Sequence, residues 1–500
     1  MVRENEAAEA QNIAQLLRAK ALGGSPIRKV AIDSDEFDTL LQGGTIEQPN
    51  NTHLNHAFAL FRDWVASQSL PDLGSFLYRL LNQCLIIRLN VGDAKDAFKL
   101  FETINNRGLR LSPTDIIKNF LLGNAARLDG DALAMAKAKW AEIILNLDGL
   151  NQEQFFRQFL CASLRQRITH SHVIMNFKKL FMQSVVEAKQ LPDRHVYLED
   201  DVVDDDVEKD NDAEVGDEAA DRSAEADRER VTFAHFLNHL AGSAKSFAQI
   251  VRCRSGVASI DRHLRNLRMI KFQQCYGFLM YLRRGGCGDG DFVQILRLTE
   301  ALLIRRSICK MRSNETESLF ARLCSLDCRN AVDKVAEEYR LYTPSGEKFR
   351  DDFAATRFFA SLIDRARYCL EQFEFKRHGS FPELSVNGPD AVHVEHIMPQ
   401  KIRTKKAKAQ FGDWPTYLGP QADAHHEKHV SRIGNLTLFA GPLNIGASSN
   451  PYERKKQAYT ASAIKITNTL PHEYPEFRIE DIERRSSALA DLAVGVWPRA

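Results

Sequence analysis

The sequence predicts a mainly α, multidomain protein of the α+β class, and three observations carry that class. Five hundred residues exceed what one ordinary core holds, so several domains are expected. Apolar residues recur at helical spacing through most of the chain. Beyond one earlier strand candidate, β-like texture is confined to two short C-terminal runs, AVHVEHI and IGNLTLF, followed by a helix start near Asn450-Pro451. The C-terminal part therefore reads as a β…β-α arrangement attached to a helical body.

The elements can be taken in chain order. The first twenty residues, MVRENEAAEAQNIAQLLRAK, have amphipathic spacing and lack the apolar core and cleavage site of a secretory signal. No stretch approaches the roughly 18 apolar residues of a membrane helix. No membrane partner and a cytoplasmic location are expected. LNQCLIIRLN, residues 81–90, is a buried-strand candidate. After Asp93, a plausible N-cap, DAFKLFETI keeps helical spacing until Gly108 stops it. Ser112 and Asp115 have capping-box spacing with Pro113 at the first helical position, predicting a helix that ends near Gly123. NQEQFFRQFLCASLRQ and HVIMNFKKLFMQSVVEAKQL read as further amphipathic helices.

An acidic tract then divides the chain. From Glu199 to Glu229 there are sixteen acidic residues against three basic ones, a balance of −13, so the other 469 residues carry +14 of the net +1. The tract reads as a solvated linker, and the basic remainder suits a polyanionic partner. From about Val231 to Phe373 nearly everything has helical period, as in LRNLRMIKFQQCYGFLMYLRR, FVQILRLTEALLIRRSICK and TRFFASLIDRARYCLEQF. The nine cysteines are odd in number and scattered, so disulfides do not organise the fold; Cys324 and Cys328, one helical turn apart, read as buried thiols.

Chemistry concentrates near the C-terminus. Hydrolysing a phosphodiester needs a base to deprotonate water and a charge to neutralise the phosphate oxygens. His396 is the candidate base, Glu395 a hard oxygen ligand for Mg²⁺ or Mn²⁺, and Asn444 a second oxygen ligand, with His393 the spare ligand on the strand face of Glu395. Asn435 joins the catalytic group as the residue that ties the connecting loop to the backbone. Lys455 or Lys456 would neutralise phosphate. Adjacent strand residues point to opposite faces, so Glu395 and His396 converge only if the strand ends there, and Pro399 makes that ending plausible. Lys401, Arg403, Lys405, Lys406 and Lys408 follow the base and would grip DNA phosphates without reading sequence. His425, His426 and His429 lack acidic or cysteine partners at metal spacing and read as surface or supporting residues.

The ordered set EHIMPQ, GNLTLFAGPLN and NPYERKK resembles the HNH, or ββα-metal, nuclease finger in the variant carried at the C-terminus of GmrSD-type restriction enzymes, over roughly residues 390 to 460. Independently, FETINNRGLRLSPTDIIKNFLL resembles a segment of the ParB-like N-terminal NTPase domain of the same family, and LTEALLIRRSICK with SNETESLFARL resembles its helical middle. The resemblance implies a metal-dependent DNA endonuclease directed at foreign, often modified, phage DNA. It also implies an organisation of a partial ParB-like domain over 1–130, a helical segment over 131–198, the acidic linker over 199–230, a helical domain over 231–375, the HNH domain over 376–480 and a tail over 481–500. The family's Asp-Gly-Gln-Gln-Arg motif is absent. Asn105, Asn106 and Arg107 could face a nucleotide phosphate but read better as a helix end closed by Gly108, and an NTPase partner chain could supply the missing part. Two rival readings are a catalytically silent DNA-binding or scaffold subunit and an RNA-directed nuclease. One finger makes one cut, so a duplex break asks for a homodimer or two visits.

Overall fold

The computed structural model of the chain describes residues 39–40, 46, 52–85, 112–128, 130–188, 230–378, 391–403, 414–420, 422–441, 444 and 450–500. The chain forms two compact units, one comprising 1–156 and 170–245, the other 157–169 and 246–500.

In the first unit, the described helices are α1 (Thr52–Ser67), α2 (Leu70–Asn82), α3 (Pro113–Ala125), α4 (Ala132–Asn146), the start of α5 (Gln152–Leu164), α6 (Val173–Ser184) and the start of α7 (Phe233–Arg252). Ser112 caps α3 as its spacing predicts: Oγ accepts the Asp115 backbone N–H at 3.2 Å and donates to Asp115 Oδ2 at 2.7 Å. The helix passes Gly123, which is buried within it, and stops at Ala125. The strand expected from Leu81 is not formed at its start. Leu81 and Asn82 complete α2, because they continue the helical period of the preceding LPDLGSFLYR, and the Gln83 N–H closes the helix on Arg79 O at 2.8 Å. Residues 86–111, with Asn105, Asn106 and Arg107, lie outside the described residues.

The core of this unit is aromatic, with edge-on pairs Phe120–Phe181 at 5.2 Å, Phe156–Phe177 at 5.8 Å and Phe181–Phe236 at 5.2 Å. Val185 and Val231 form an isolated parallel bridge, the Val231 N–H donating to Ser184 O at 2.8 Å and the Val186 N–H to Val231 O at 2.9 Å. The two flanks of the acidic tract are thus neighbours; the tract itself lies outside the described residues.

The second unit contains α8 (Ala258–Met269), α9 (Tyr276–Arg284), α10 (Asp289–Ile308), α11 (Ser313–Leu323), α12 (Ala331–Tyr342), α13 (Gly346–Ala355) and α14 (Ile363–His378). The run from Leu264 to Arg284 makes two helices, because Lys271 at φ 60° turns the chain into the left-handed region and the Phe272 N–H bonds back to Leu267 O at 3.1 Å. Helix α10 is buried on most sides. Its Glu300 carboxylate is satisfied by His263 Nδ1 at 2.5 Å, Asn266 Nδ2 at 3.0 Å and Tyr368 OH at 2.7 Å, which is what makes a buried carboxylate tolerable.

Helix α14 packs against both strands of the small sheet, β1 (Val392–His396) and β2 (Leu436–Ala440). They are antiparallel, in register from Val392 opposite Ala440 to His396 opposite Leu436. Between them lie α15 (Trp414–Leu418) and α16 (Ala422–His429); after them come α17 (Tyr452–Thr460), α18 (Lys465–Asn468), α19 (Leu470–Glu473) and α20 (Ile479–Val496). The order β1, β2, α17 is the β…β-α arrangement read from the sequence. The last twenty residues are no tail. Helix α20 buries Ile482, Arg485, Ser486, Leu489, Ala490 and Ala493, and Trp497 is buried behind them, because apolar and small residues recur along it every three or four positions.

Candidate active site

Three elements meet at the end of β1. The strand presents His393 and Glu395 to one face and Val394 and His396 to the other, as strand geometry requires, and the ladder ends at His396. Helix α17 lays Tyr452, Lys455 and Tyr459, spaced three and four residues apart, into the core. A tight turn at Ile433–Asn435 leads into β2.

Glu395 is buried, and its Oε1 accepts Lys455 Nζ at 2.5 Å and Tyr459 OH at 3.3 Å. The same ammonium donates to the His396 carbonyl at 2.8 Å. Burial pushes the Glu395 carboxyl up while Lys455 opposes the shift, and burial pushes the Lys455 ammonium down while Glu395 opposes that. Lys455 has no exposed surface, so it sits as the counter-ion of Glu395 instead of meeting a substrate phosphate. Its spacing with Tyr452 and Tyr459 is the sequence signal for an inward-facing lysine.

His396 faces the other way. Its imidazole is pushed down to about 4, first by burial and then by the positive fields of Lys455 and His426, so it stands neutral across the ordinary pH range. The Gln400 side-chain amide approaches His396 Nε2 at 3.4 Å. Asn435 is wholly buried and clasps the segment after β1: its Oδ1 accepts the Met398 N–H at 2.7 Å, and its Nδ2 donates to the Met398 and Val430 carbonyls, both at 2.8 Å. All three contacts are to backbone.

The cation set expected from the sequence does not fit this arrangement. Glu395 already carries a compensating ammonium at 2.5 Å, and a dication beside it would face that charge at low dielectric. His393 is half-buried against Gly441, where an added Cβ would come within 3.2 Å of the ring, and Asn444 is half-buried beyond β2. Among the described residues no three His, Cys, Asp or Glu side chains gather as a metal site.

Of the expected DNA contacts, Lys401 is exposed. Arg403 is held in a two-pronged pair with Asp423, at 3.2 and 2.7 Å. Lys456 bonds Pro475 O at 3.0 Å and Glu453 at 2.7 Å. Lys405, Lys406 and Lys408 lie outside the described residues.

Sequence reading missed one support, on α20. Arg485 on α20 is buried and donates to the carbonyls of Gly434 and Leu436, each at 2.7 Å, and of Ile433 at 3.4 Å, while Ser486 Oγ accepts the Gly434 N–H at 3.1 Å. Of the two readings open for the histidines of α16, the supporting one fits: His429 is buried, with Nε2 on Glu483 at 2.9 Å and Nδ1 on His425 O at 2.7 Å, and half-buried His426 holds Pro399 O at 2.8 Å.

Residues 343–492 match the family model for the C-terminal domain of GmrSD restriction endonucleases. Residues 12–122 match the model for the N-terminal domain of the same enzymes, and the two matches together span a little over half the chain. Neither a curated protein nor a solved structure matches the chain. No helix among the described residues is long and apolar enough to cross a membrane.

Proposed function

The chain belongs to the GmrSD restriction endonuclease family, and from that premise we propose that it is a DNA endonuclease of the HNH type acting against foreign, modified phage DNA. The observation that carries the catalytic part is the His396 imidazole, held neutral at the end of β1 with its Nε2 lone pair turned to the Gln400 amide. A neutral imidazole is the form that takes a proton from water as the water attacks phosphorus. Asn435 acts at one remove, tying the backbone at Met398, two residues beyond the base, to that at Val430. Lys455 and Glu395 hold the strand end from behind through the His396 carbonyl. Mg²⁺ or Mn²⁺ enters the proposal as an assay variable with no ligands assigned, since Glu395 is engaged by Lys455.

The test is cleavage by the purified chain of plasmid DNA and of heavily modified phage DNA, with and without Mg²⁺ or Mn²⁺, beside His396→Gln. Cutting that the variant loses by 10²-fold or more, on the order expected of general-base catalysis, supports the reading. Equal cutting by both proteins overturns the assignment of His396, and preference for unmodified DNA overturns the restriction role.

A further inference from the structure

The candidate site contains a second imidazole that the reading above leaves without a task. His426 lies on α16, three residues before the buried His429 that anchors this helix to Glu483 of α20. At the other end of the helix Asp423 is pinned by Arg403, which comes from the segment just after Pro399. The helix is therefore tied to α20 at one end and, through an exposed ion pair, to the chain that leaves β1 at the other. Between them, His426 Nε2 meets the Pro399 carbonyl at 2.8 Å, and Pro399 is followed at once by Gln400, whose amide approaches His396 Nε2. The two imidazoles thus flank one dipeptide, and the charge of His426 is felt at His396.

Their hydrogen bonds set complementary roles. A carbonyl only accepts, so Nε2 of His426 carries hydrogen, and Nδ1, which has no hydrogen-bond partner among the described residues, is the atom that would hold and release a second proton. An amide nitrogen only donates, so Nε2 of His396 is an acceptor. One ring is arranged to take a proton and the other to give one.

Resting on the assignment of His396 as base, we propose that His426 is the general acid of the same reaction, protonating the leaving oxygen. As the attacking water displaces the Gln400 amide, His396 Nε2 takes the water proton, the bond from phosphorus to the bridging oxygen breaks, and His426 Nδ1–H passes its proton to that oxygen. The products are a terminal phosphate monoester and a free hydroxyl, and exchange with solvent returns both rings to their starting forms. The charged and titratable groups around His426 are Asp423 with Arg403, His425, His429 with Glu483, Arg432, and His396 with Lys455 behind it. All but Asp423 and Glu483 are basic or imidazole groups, and both carboxylates are already paired.

The experiment uses the full chain and the DNA position it cuts, synthesised with oxygen or with sulfur as the bridging leaving atom, in both 3′- and 5′-bridged forms. A thiolate leaves without protonation, so the need for an acid disappears with the sulfur substrate. His426→Gln, which keeps a donor for Pro399, should slow the oxygen substrate by roughly 10²- to 10⁴-fold and the matching sulfur substrate little. His396→Gln should slow both substrates. His426→Asn, with thermal unfolding matched to the parent, serves as the second variant. Equal losses on oxygen and sulfur in both His426 variants, or no loss on oxygen, overturn the acid role while leaving His396 in place. Full activity of His396→Gln overturns the underlying reading as well.

Discussion

The ammonium of Lys455 and the carboxylate of Glu395 face each other at 2.5 Å with both side chains buried, so the charge at the end of β1 is neutralised from inside the protein. Removing one partner leaves the other uncompensated. Lys455→Met should cost about 3 to 5 kcal/mol, and the pair Glu395→Gln with Lys455→Met should recover much of it, in urea unfolding at neutral pH. The sign with pH is fixed by Glu395: without the ammonium its carboxyl is raised further, the folded form holds the proton more tightly than the unfolded one, and stability falls as pH rises above the ordinary carboxylate range. A Lys455→Met protein as stable as the parent at pH 7 would exclude this pair as a structural element.

The turn into β2 depends on a helix about fifty residues further along the chain. A Cβ at Gly434 would collide with the Ile482 carbonyl and with Ser486, and Arg485 satisfies three carbonyls of the same turn from a position where burial pushes its guanidinium down to about 10. Gly434→Ala should cost about 1 to 3 kcal/mol through overpacking, and Arg485→Met about 3 kcal/mol through orphaned buried carbonyls. Because the turn carries Asn435, both variants should lower kcat for DNA cleavage more than they raise KM, measured at a temperature where each remains folded. A change confined to KM would detach α20 from the catalytic geometry.

How much of this was legible in the sequence follows from the range of the interactions. Ser112, Pro113 and Asp115 fix a helix start through contacts within four residues, and alternation marks β1 and β2 directly. The orientation of Glu395 was half legible: strand alternation separates it from His396, but its partner Lys455 lies sixty residues on, and only the Tyr452, Lys455 and Tyr459 spacing points inward. Arg485 and His429 bury charged or titratable groups against carbonyls and a carboxylate brought by other elements, and no local pattern distinguishes them from surface residues. Leu81 and Asn82 misled because a short, apolar-rich segment suits a buried strand and a helix end alike.

Thiol reactivity separates buried from accessible cysteines. Cys84 alone is exposed, while the other eight are buried, and burial raises Cys275 to about 12 and Cys287 to about 11. A native-state titration with an aromatic disulfide reagent should show one fast thiol, removed by Cys84→Ser, and all nine after denaturation. A second fast thiol at Cys324 or Cys328 would show that the contact between α9 and the segment following α11 opens readily.

The pH dependence of cleavage offers the most direct view of His396. Its imidazole is depressed by burial and by the fields of Lys455 and His426, so the neutral form needed to accept a proton persists as pH falls from neutrality to about 4. An unperturbed histidine would lose it near 6.5. The acidic limb of kcat/KM should therefore lie near pH 4, well below the ordinary position near 6.5. Lys455→Met removes one of the two positive fields and should move that limb upward, toward the ordinary value, even where total activity is reduced. Folding stability carries the same signature: the unfolded state binds the His396 proton near 6.5 and the folded state only near 4, so the protein should lose stability as pH falls through that window, and His396→Gln should flatten that part of the slope. An acidic limb at about 6.5 in the parent, unmoved in Lys455→Met, would mean that His396 is solvated during the reaction and that another group takes the proton.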